Sequence, residues 1–298
     1  MYNPFQEKIK EHDSDTDCIG RALEGDAAAL EALILRHQSW IFNIALHMTG
    51  DIHRAEDVTQ EILIKTIAKL STYDQKKGAF RTWLYRIVAN HVINTKQSKK
   101  EQFYAAHPAE NFDFGTYIFN LPDTNQHAPM GGKEIIEEVK NHCTLCILLC
   151  LTRRERIVLI LGAIFDVTDH IGAEICDISQ ANFRKILSRS RKKVADYFQN
   201  NCSLFDEHNA CKCGEQVSYL IKSGLIKPAD MNIRHDSLGT IRIVLGKTIT
   251  DIENSYSEFS TLYQDQPFFK GPDMVCWLKD LLQQKNINDF LCKIRSDK

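Results

Sequence analysis

Apolar side chains recur at helical spacing along much of the chain, and between residues 26 and 100 they define three helices joined by short turns. The first helix, which Asp26 caps, repeats apolar side chains at every third or fourth position over residues 30–48. The second helix is predicted over residues 54–70 and the third over residues 80–94. The pattern therefore predicts a helical module in this part of the chain.

Three further helices are predicted between residues 152 and 200 from their capping residues. Thr152 and Glu155 form a Thr-x-x-Glu capping box at the start of the first, and Thr168 caps the second over residues 169–176. Ser179 caps the third, whose apolar side chains fall on one side: Phe183, Ile186, Leu187, Val194 and Phe198. Short helices followed by a longer one predict a helix-turn-helix.

The opposite side of this last helix is basic. Residues 178–195 contain six Lys or Arg and no acid, and residues 75–100 contain seven and no acid, although the net charge of the chain is −2. The basic side carries Arg184, Lys185, Ser188, Arg189 and Lys192. This pattern favours contact with phosphates; the alternative is a solvated surface.

Two faces of the first module also favour binding. Helical spacing places one aromatic ring, one guanidinium and three carboxamides along one stripe of the third helix: Trp83, Arg86, Asn90, Asn94 and Gln97. This mixture suits single-stranded nucleic acid, since rings stack on unpaired bases and carboxamides bond to base edges. The alternative is that Trp83 lies in the core. On the second helix, one apolar side chain lies within an acidic and polar face, which favours a docking surface: Asp57, Gln60, Glu61 and Ile64.

Length and composition limit the number of domains and the kind of protein that this chain can form. The 298 residues suffice for two or three domains, and 43% apolar residues suffice for packed cores. No apolar run approaches the roughly 20 residues that span a bilayer, and the N-terminal residues lack the apolar core of a signal peptide. We therefore expect a cytoplasmic protein whose ten cysteines are thiols or metal ligands rather than disulfides.

Taken together, these segments resemble the extracytoplasmic-function class of bacterial sigma factors. Asp57-Val58-Thr59-Gln60-Glu61 is similar to the helix with which that family docks on RNA polymerase, and residues 78–90 are similar to its promoter-melting segment. Residues 151–156 and 178–193 are similar to its final helix-turn-helix domain. The resemblance covers roughly residues 17–200 and keeps the family's order.

The resemblance implies an all-α subunit with no catalytic activity and no cofactor, whose partners are core RNA polymerase and promoter DNA. An inhibitory regulator is a further partner that it allows. The polymerase would meet Asp57, Gln60, Glu61 and Ile64, and the single-stranded −10 element would meet Trp83, Arg86, Asn90 and Asn94. The −35 duplex would be read by the recognition helix: Gln180, Asn182, Arg184, Lys185, Ser188, Arg189 and Lys192.

The implied organisation has six parts, which are an N-terminal tail (1–16), region 2 (17–103), a linker (104–141), region 4 (142–200), a Cys-rich segment (201–215) and a helical extension (216–298). Three features depart from the family. Gly172 replaces an aliphatic residue inside a helix, Asp177 occupies a turn position where Gly is common, and Lys99-Lys100-Glu101 is a short version of the basic tail after the melting helix.

The cysteines leave alternatives open. Cys143, Cys146 and Cys150 share a helical face and are best interpreted as small buried hydrophobes, with a metal or redox cluster as the alternative. Cys202, Cys211 and Cys213, with His208, have the residue types of a zinc site but not its usual spacing. The competing functions are a helix-turn-helix regulator that acts without polymerase and a thiol or zinc enzyme.

Overall fold

The computed structural model describes residues 15–98, 101–102, 104, 145, 147–203, 206–209, 211–212 and 271–283. The helices of the first module, in chain order, are α1 (Asp15–Leu23), α2 (Ala27–Thr49), α3 (Ile52–Lys69) and α4 (Phe80–Asn94), with short 3-10 turns at Leu70–Thr72 and Gln75–Lys77. The long apolar side of α2 packs against the other three helices. The three helices predicted between residues 26 and 100 are all present.

The caps explain where these helices begin and end. Asp26 Oδ1 accepts the amides of Ala28 and Ala29 at 2.9 and 3.2 Å, which satisfies two donors at the start of α2. Gly50 ends α2 in the left-handed conformation, at φ 64°, with its amide bonded to Leu46 O. The chain therefore reverses within two residues and enters α3.

A buried carboxylate fixes α1 to the rest of this module. Asp15 Oδ1 lies 2.7 Å from Arg36 Nη1, Oδ2 lies 3.2 Å from Arg81 Nε, and His37 Nε2 is 3.3 Å from Oδ1. Burial alone would raise the pKa of Asp15, but the hydrogen bond and charge of His37 and the two guanidinium groups outweigh it and lower that pKa. The ionised side chain thus joins α1, α2 and α4.

The second module contains α5 (Arg153–Leu159), which continues as a π-helical turn over Ile160–Ile164, then α6 (Asp169–Cys176) and α7 (Gln180–Asn201). The predicted capping box is present, as Thr152 accepts the amide of Glu155 and Glu155 accepts the amide of Thr152. Thr168 and Ser179 cap α6 and α7. Asp177 makes the turn between them at φ 53°, a conformation that Asp tolerates better than most residues.

Packing against Phe183 explains why residue 172 is a glycine. An ideal Cβ at this position would lie 2.4 Å from Cζ and 2.5 Å from Cε2 of Phe183, whose ring is fully buried. The ring of Phe183 therefore occupies the space that an aliphatic side chain on α6 would need. Gly172, where the sigma-factor family usually has an aliphatic residue, therefore makes room for the large side chain of Phe183 on α7.

The two modules pack directly against each other and share one hydrophobic core. The ring of Trp40 on α2 meets that of Phe165, which follows the π-helical turn, edge to face at 4.7 Å. Helices α6 and α5 also contact α4. The predicted pair of helical domains is thus present in a closed arrangement.

A buried ion cluster lies at the same contact. Glu101, which follows α4, accepts hydrogen bonds from Arg153 through both carboxylate oxygens at 2.6 and 2.7 Å and from Arg156 at 3.1 Å. Arg156 is only 1% exposed and also donates to the carbonyl of Met48 at the end of α2. Glu101 is therefore an anchor for the second module rather than an interruption of a basic tail.

The C-terminal part of the described chain returns to α2. A helix is present at Met274–Gln283 (α8), and its Met274 amide donates to Gln38 Oε1 at 3.1 Å. Met274 and Val275 are buried, and Gly271 lies against Phe42. This helix lies within the helical extension predicted at 216–298, and Asp273 Oδ1 accepts the amides of Val275 and Cys276 at its start.

Several predicted features lie outside the described residues: Cys143, Cys146, Cys213, nearly all of the linker at 104–141, and the extension apart from 271–283. Within the described ranges the backbone forms no strand, and Cys202 and Cys211 make an isolated parallel bridge. None of the helices described is both long enough and apolar enough to span a membrane.

Candidate nucleic-acid and polymerase interfaces

The stripe predicted on α4 is mostly exposed, with Trp83 at its inner end. Trp83 is half-buried and its ring stacks on Phe80 at 5.5 Å and 29°, with Tyr73 at 5.7 Å on another side. The ring contributes to the aromatic cluster and keeps part of its surface in solvent. The stacked contact with Phe80 and the tilted contact with Tyr73, at 55°, hold the ring in one orientation.

Arg86 connects the stripe to the second module. Its Nε and Nη2 donate to the backbone carbonyl of Glu174 on α6, at 3.0 and 2.8 Å. Both bonds run along one edge of the guanidinium, so in the closed arrangement that edge is occupied by protein. The side chain predicted to meet single-stranded DNA is here bound to α6.

The amides at the far end of the stripe are exposed. Asn90 and Asn94 both lie in solvent, and Asn94 Nδ2 donates to the carbonyl of Asn90 at 2.8 Å. This local bond occupies one of the hydrogens of Asn94 and leaves its oxygen for another partner. Helix α4 ends at Asn94, so Gln97 lies beyond the helical stripe.

Every predicted reading residue of α7 is exposed, while Phe183 and Val194 on the opposite side are buried. The exposed residues are Gln180, Asn182, Arg184, Lys185, Ser188, Arg189 and Lys192. Ser190 is buried among them and its Oγ donates to Ile186 O at 2.9 Å and to Glu155 O at 3.4 Å, which ties α7 to α5. The basic face is therefore held outward by packing on the other side.

Two of these residues are joined by an acid from the preceding helix. Asp169, the first residue of α6, accepts Gln180 Nε2 at 2.7 Å through Oδ1 and pairs with Arg184 Nε through Oδ2. The hydrogen bond from Gln180, together with the charge of Arg184, keeps the pKa of Asp169 below its usual value. The sequence did not single out Asp169 beyond its place at the start of α6.

The face predicted to dock on polymerase is open to solvent. Asp57, Glu61 and Ile64 are exposed and Gln60 is half-buried, with Ile64 at 37% exposure among the large apolar side chains that remain accessible. Glu61 Oε2 also lies 3.0 Å from Nε2 of His91 on α4. An apolar side chain surrounded by carboxylates and a carboxamide forms a small mixed patch on α3.

Backbone hydrogen bonds join the described ends of the cysteine segment after α7. Cys202 and Cys211 are buried, and they are joined through the bonds Ser203 N to Cys211 O and Cys211 N to Asn201 O, both 3.1 Å. His208 is highly exposed and its Nδ1 lies 2.9 Å from Asp206. Within the part of the chain that the structure describes, no three His, Cys, Asp or Glu side chains are grouped as metal ligands.

The contact between the modules was not predicted from the sequence. Arg153 and Arg156 are three residues apart and so share a face of α5, and Glu101 is the first acid after a long basic stretch. Those two signals could have suggested an ion cluster, but nothing local to either segment indicates that they meet. The pairing spans 52 and 55 residues of chain.

Comparisons with known proteins agree with this arrangement of helices. Residues 33–102, which include α3, α4 and most of α2, match the family Sigma-70 region 2. The chain is similar to the extracytoplasmic-function (ECF) RNA polymerase sigma factor SigW of Bacillus subtilis, with 31% identity over 86 residues, or 29% of this chain and 46% of the relative. It is also similar to the RNA polymerase sigma-H factor of Pseudomonas aeruginosa, with 30% identity over 105 residues, or 34% and 54% of the two chains.

A third relative matches over a longer part of the chain. The ECF RNA polymerase sigma-E factor of Haemophilus influenzae is 26% identical over 194 residues, which is 62% of this chain and 96% of the relative. The chain spans about half the length of the first two relatives. Nearly the whole length of the third is covered.

Proposed function

We propose that this chain, which is a sigma factor of the extracytoplasmic-function class, binds core RNA polymerase and directs it to promoters by reading −35 and −10 DNA. The observation that carries the proposal is the combination, in one chain, of a sigma-70 region 2 bundle and a helix-turn-helix whose basic reading face is exposed. The relatives are named RNA polymerase sigma factors. In this role the protein works in the cytoplasm and has no catalytic activity of its own.

The polymerase would dock on α3. Ile64 supplies apolar area, and Asp57 and Glu61 surround it with negative charge that selects a basic partner. Since these side chains lie on one face and the opposite face of α3 is buried in the bundle, the helix can bind a partner without unfolding.

The unpaired −10 strand would lie along α4. Trp83, held by Phe80 and Tyr73, offers a ring on which a base can stack, and Asn90 and Asn94 offer amides to base edges. Arg86 belongs to the same stripe but donates to Glu174 O, so that edge of its guanidinium becomes available only when α6 leaves α4.

Geometry requires the modules to separate. The names −10 and −35 place the two elements about 25 base pairs apart, which is about 85 Å along a duplex. Glu174, in contact with Arg86, is followed by Gln180 within six residues, a reach of at most about 22 Å. The closed arrangement cannot read both elements at once, and polymerase binding would hold the modules apart.

The deciding experiment adds the purified full chain to core polymerase and a library of promoters. We expect promoter-specific transcripts only when both proteins are present. Duplex binding by the chain alone, with no transcription when polymerase is added, would favour the helix-turn-helix regulator and reject the sigma-factor proposal.

Two pairs of variants test the surfaces separately. Ile64→Asp should abolish binding to core polymerase, whereas Leu35→Asp, at an exposed leucine of α2, should leave it unchanged.

Trp83→Ala should retain polymerase binding and lose strand opening, measured by permanganate reactivity of unpaired thymines. Trp83→Phe should restore part of the strand opening. Loss of polymerase binding in Trp83→Ala would instead show that the ring serves only the core.

A further inference from the structure

The first residue of α6 lies between two side chains of the reading helix. Asp169 Oδ1 accepts Gln180 Nε2 at 2.7 Å, and Oδ2 pairs with Arg184 Nε. Gln180 and Arg184 are four residues apart and therefore neighbours on one face of α7. One carboxylate thus holds two residues that the proposed function assigns to −35 DNA.

This pair is poorly placed to stabilise the fold. The side chain of Arg184 is 61% exposed and that of Asp169 is 34% exposed, and exposed ion pairs contribute little to stability. The cap of α6 is supplied separately by Thr168, whose hydroxyl accepts the amide of Ile171. What Asp169 does fix is the direction of two long side chains that would otherwise sample many rotamers.

The hydrogen bonds to Asp169 determine which atoms of Arg184 and Gln180 remain available for DNA. Arg184 carries five N–H donors, and pairing through Nε leaves its two terminal amino groups for another partner. Such an end-on pair of donors matches the O6 and N7 acceptors of guanine in the major groove. Gln180 gives one amide hydrogen to Asp169 and keeps its oxygen, which accepts from the amino group of adenine or cytosine.

We propose that Asp169 is a positioning residue for −35 recognition: it holds Arg184 so that its terminal amino groups meet a guanine, and it orients Gln180 toward the adjoining base pair. The inference rests on the proposed function, because it assumes that α7 enters the major groove of promoter DNA. It adds a specificity determinant that does not itself contact a base.

The negative charge of Asp169 predicts two effects of opposite sign. Near a duplex the carboxylate is repelled by phosphates, so removing it should strengthen binding to DNA of any sequence. Removing it should also release Arg184 and weaken the preference for guanine. A residue that only supported the fold would lower binding to all sequences and lower the melting temperature together.

The test uses the full chain with core polymerase and a promoter library randomised across the −35 element. Asp169→Asn should reduce the preference for guanine at one position by about fivefold or more, within the range that a single bidentate contact provides. Duplex affinity of the chain alone for unrelated DNA should be equal or higher, and the melting temperature should be nearly unchanged. Asp166→Asn is the matched control, since Asp166 is exposed and precedes α6 by three residues, and it should leave the preference intact.

A second comparison assigns the effect to Arg184. In an Arg184→Ala background the preference for that guanine should already be lost, and adding Asp169→Asn should change nothing further. An unchanged preference in Asp169→Asn, or a uniform loss at all positions with a lower melting temperature, overturns the inference. If the unaltered chain selects no promoters with polymerase, the proposed function itself fails, and this inference fails with it.

Discussion

The contact between Gly172 and Phe183 predicts that adding one methyl group to α6 will destabilise the protein. Inside a helix Gly→Ala ordinarily gains about 1 kcal/mol. At Gly172 the new Cβ would meet the ring of Phe183 at 2.4 and 2.5 Å, more than 1 Å inside the optimal carbon separation of about 3.5–4.0 Å. Because the ring is fully buried, it cannot move aside without displacing its neighbours.

The cost of such overpacking is about 1–3 kcal/mol, and the depth of this overlap favours the upper end. After the gain in helix propensity is subtracted, Gly172→Ala should lower the free energy of unfolding by about 2 kcal/mol. Gly20→Ala in α1 is the control, because a Cβ at Gly20 meets nothing within 4 Å. The control should be stabilised by about 0.5–1 kcal/mol.

Urea unfolding followed by circular dichroism measures both variants. A double-mutant cycle with Phe183→Leu then tests the cause, since the smaller side chain makes room for the Cβ. The coupling between the two positions should be at least about 1 kcal/mol in the compensating direction. If Gly172→Ala is stabilised to the same extent as Gly20→Ala, the packing explanation for this glycine is wrong.

Three further predictions concern buried charges. Burial lowers the pKa of His47 from its usual 6.5 to about 4, so between these pH values only the unfolded chain takes up a proton. The free energy of unfolding should therefore fall by about 3 kcal/mol as pH drops from 6.5 to 4. In urea titrations over this range, His47→Asn should lose that part of the pH dependence. The pKa of Asp15 is lower in the folded protein than its usual 3.8, so the ionised carboxylate contributes fully to stability above about pH 3.8. That contribution is lost as pH falls through the pKa of the folded state. Asp15→Asn should lower the free energy of unfolding by roughly 3 kcal/mol at pH 7, seen as a lower urea midpoint. Glu101→Gln leaves Arg156 buried without its carboxylate, which weakens the contact between the two modules. Small-angle scattering should then show a larger radius of gyration than for the unaltered chain. Glu207→Gln, at an exposed acid, should leave the radius unchanged.

Local features of the fold could be predicted from the sequence because their causes are local. The caps at Asp26, Thr152, Thr168 and Ser179 act within three residues of each helix start, and all four are present. The exposed side of α7 follows in the same way, since a basic face opposite an apolar stripe leaves little choice about which side is buried.

Contacts between distant segments could not be predicted. The bonds from Arg86 to Glu174 O and from Arg156 to Met48 O join residues 88 and 108 positions apart, and no periodicity reports such pairs. Phe183 and Gly172 illustrate an intermediate case. The sequence showed that Gly172 was unusual, but only the position of the ring explains why a helix accepts it.

The docking of α8 on α2 affects how the protein can be divided for experiments. Met274 and Val275 cover part of α2, and Gly271 lies with an ideal Cβ only 3.2 Å from Phe42. A shortened clone that stops after the helix-turn-helix would uncover this apolar strip on α2 and would invite self-association during purification. Biochemistry on this protein should therefore keep its last thirty or so residues, even in work aimed only at the promoter-reading modules.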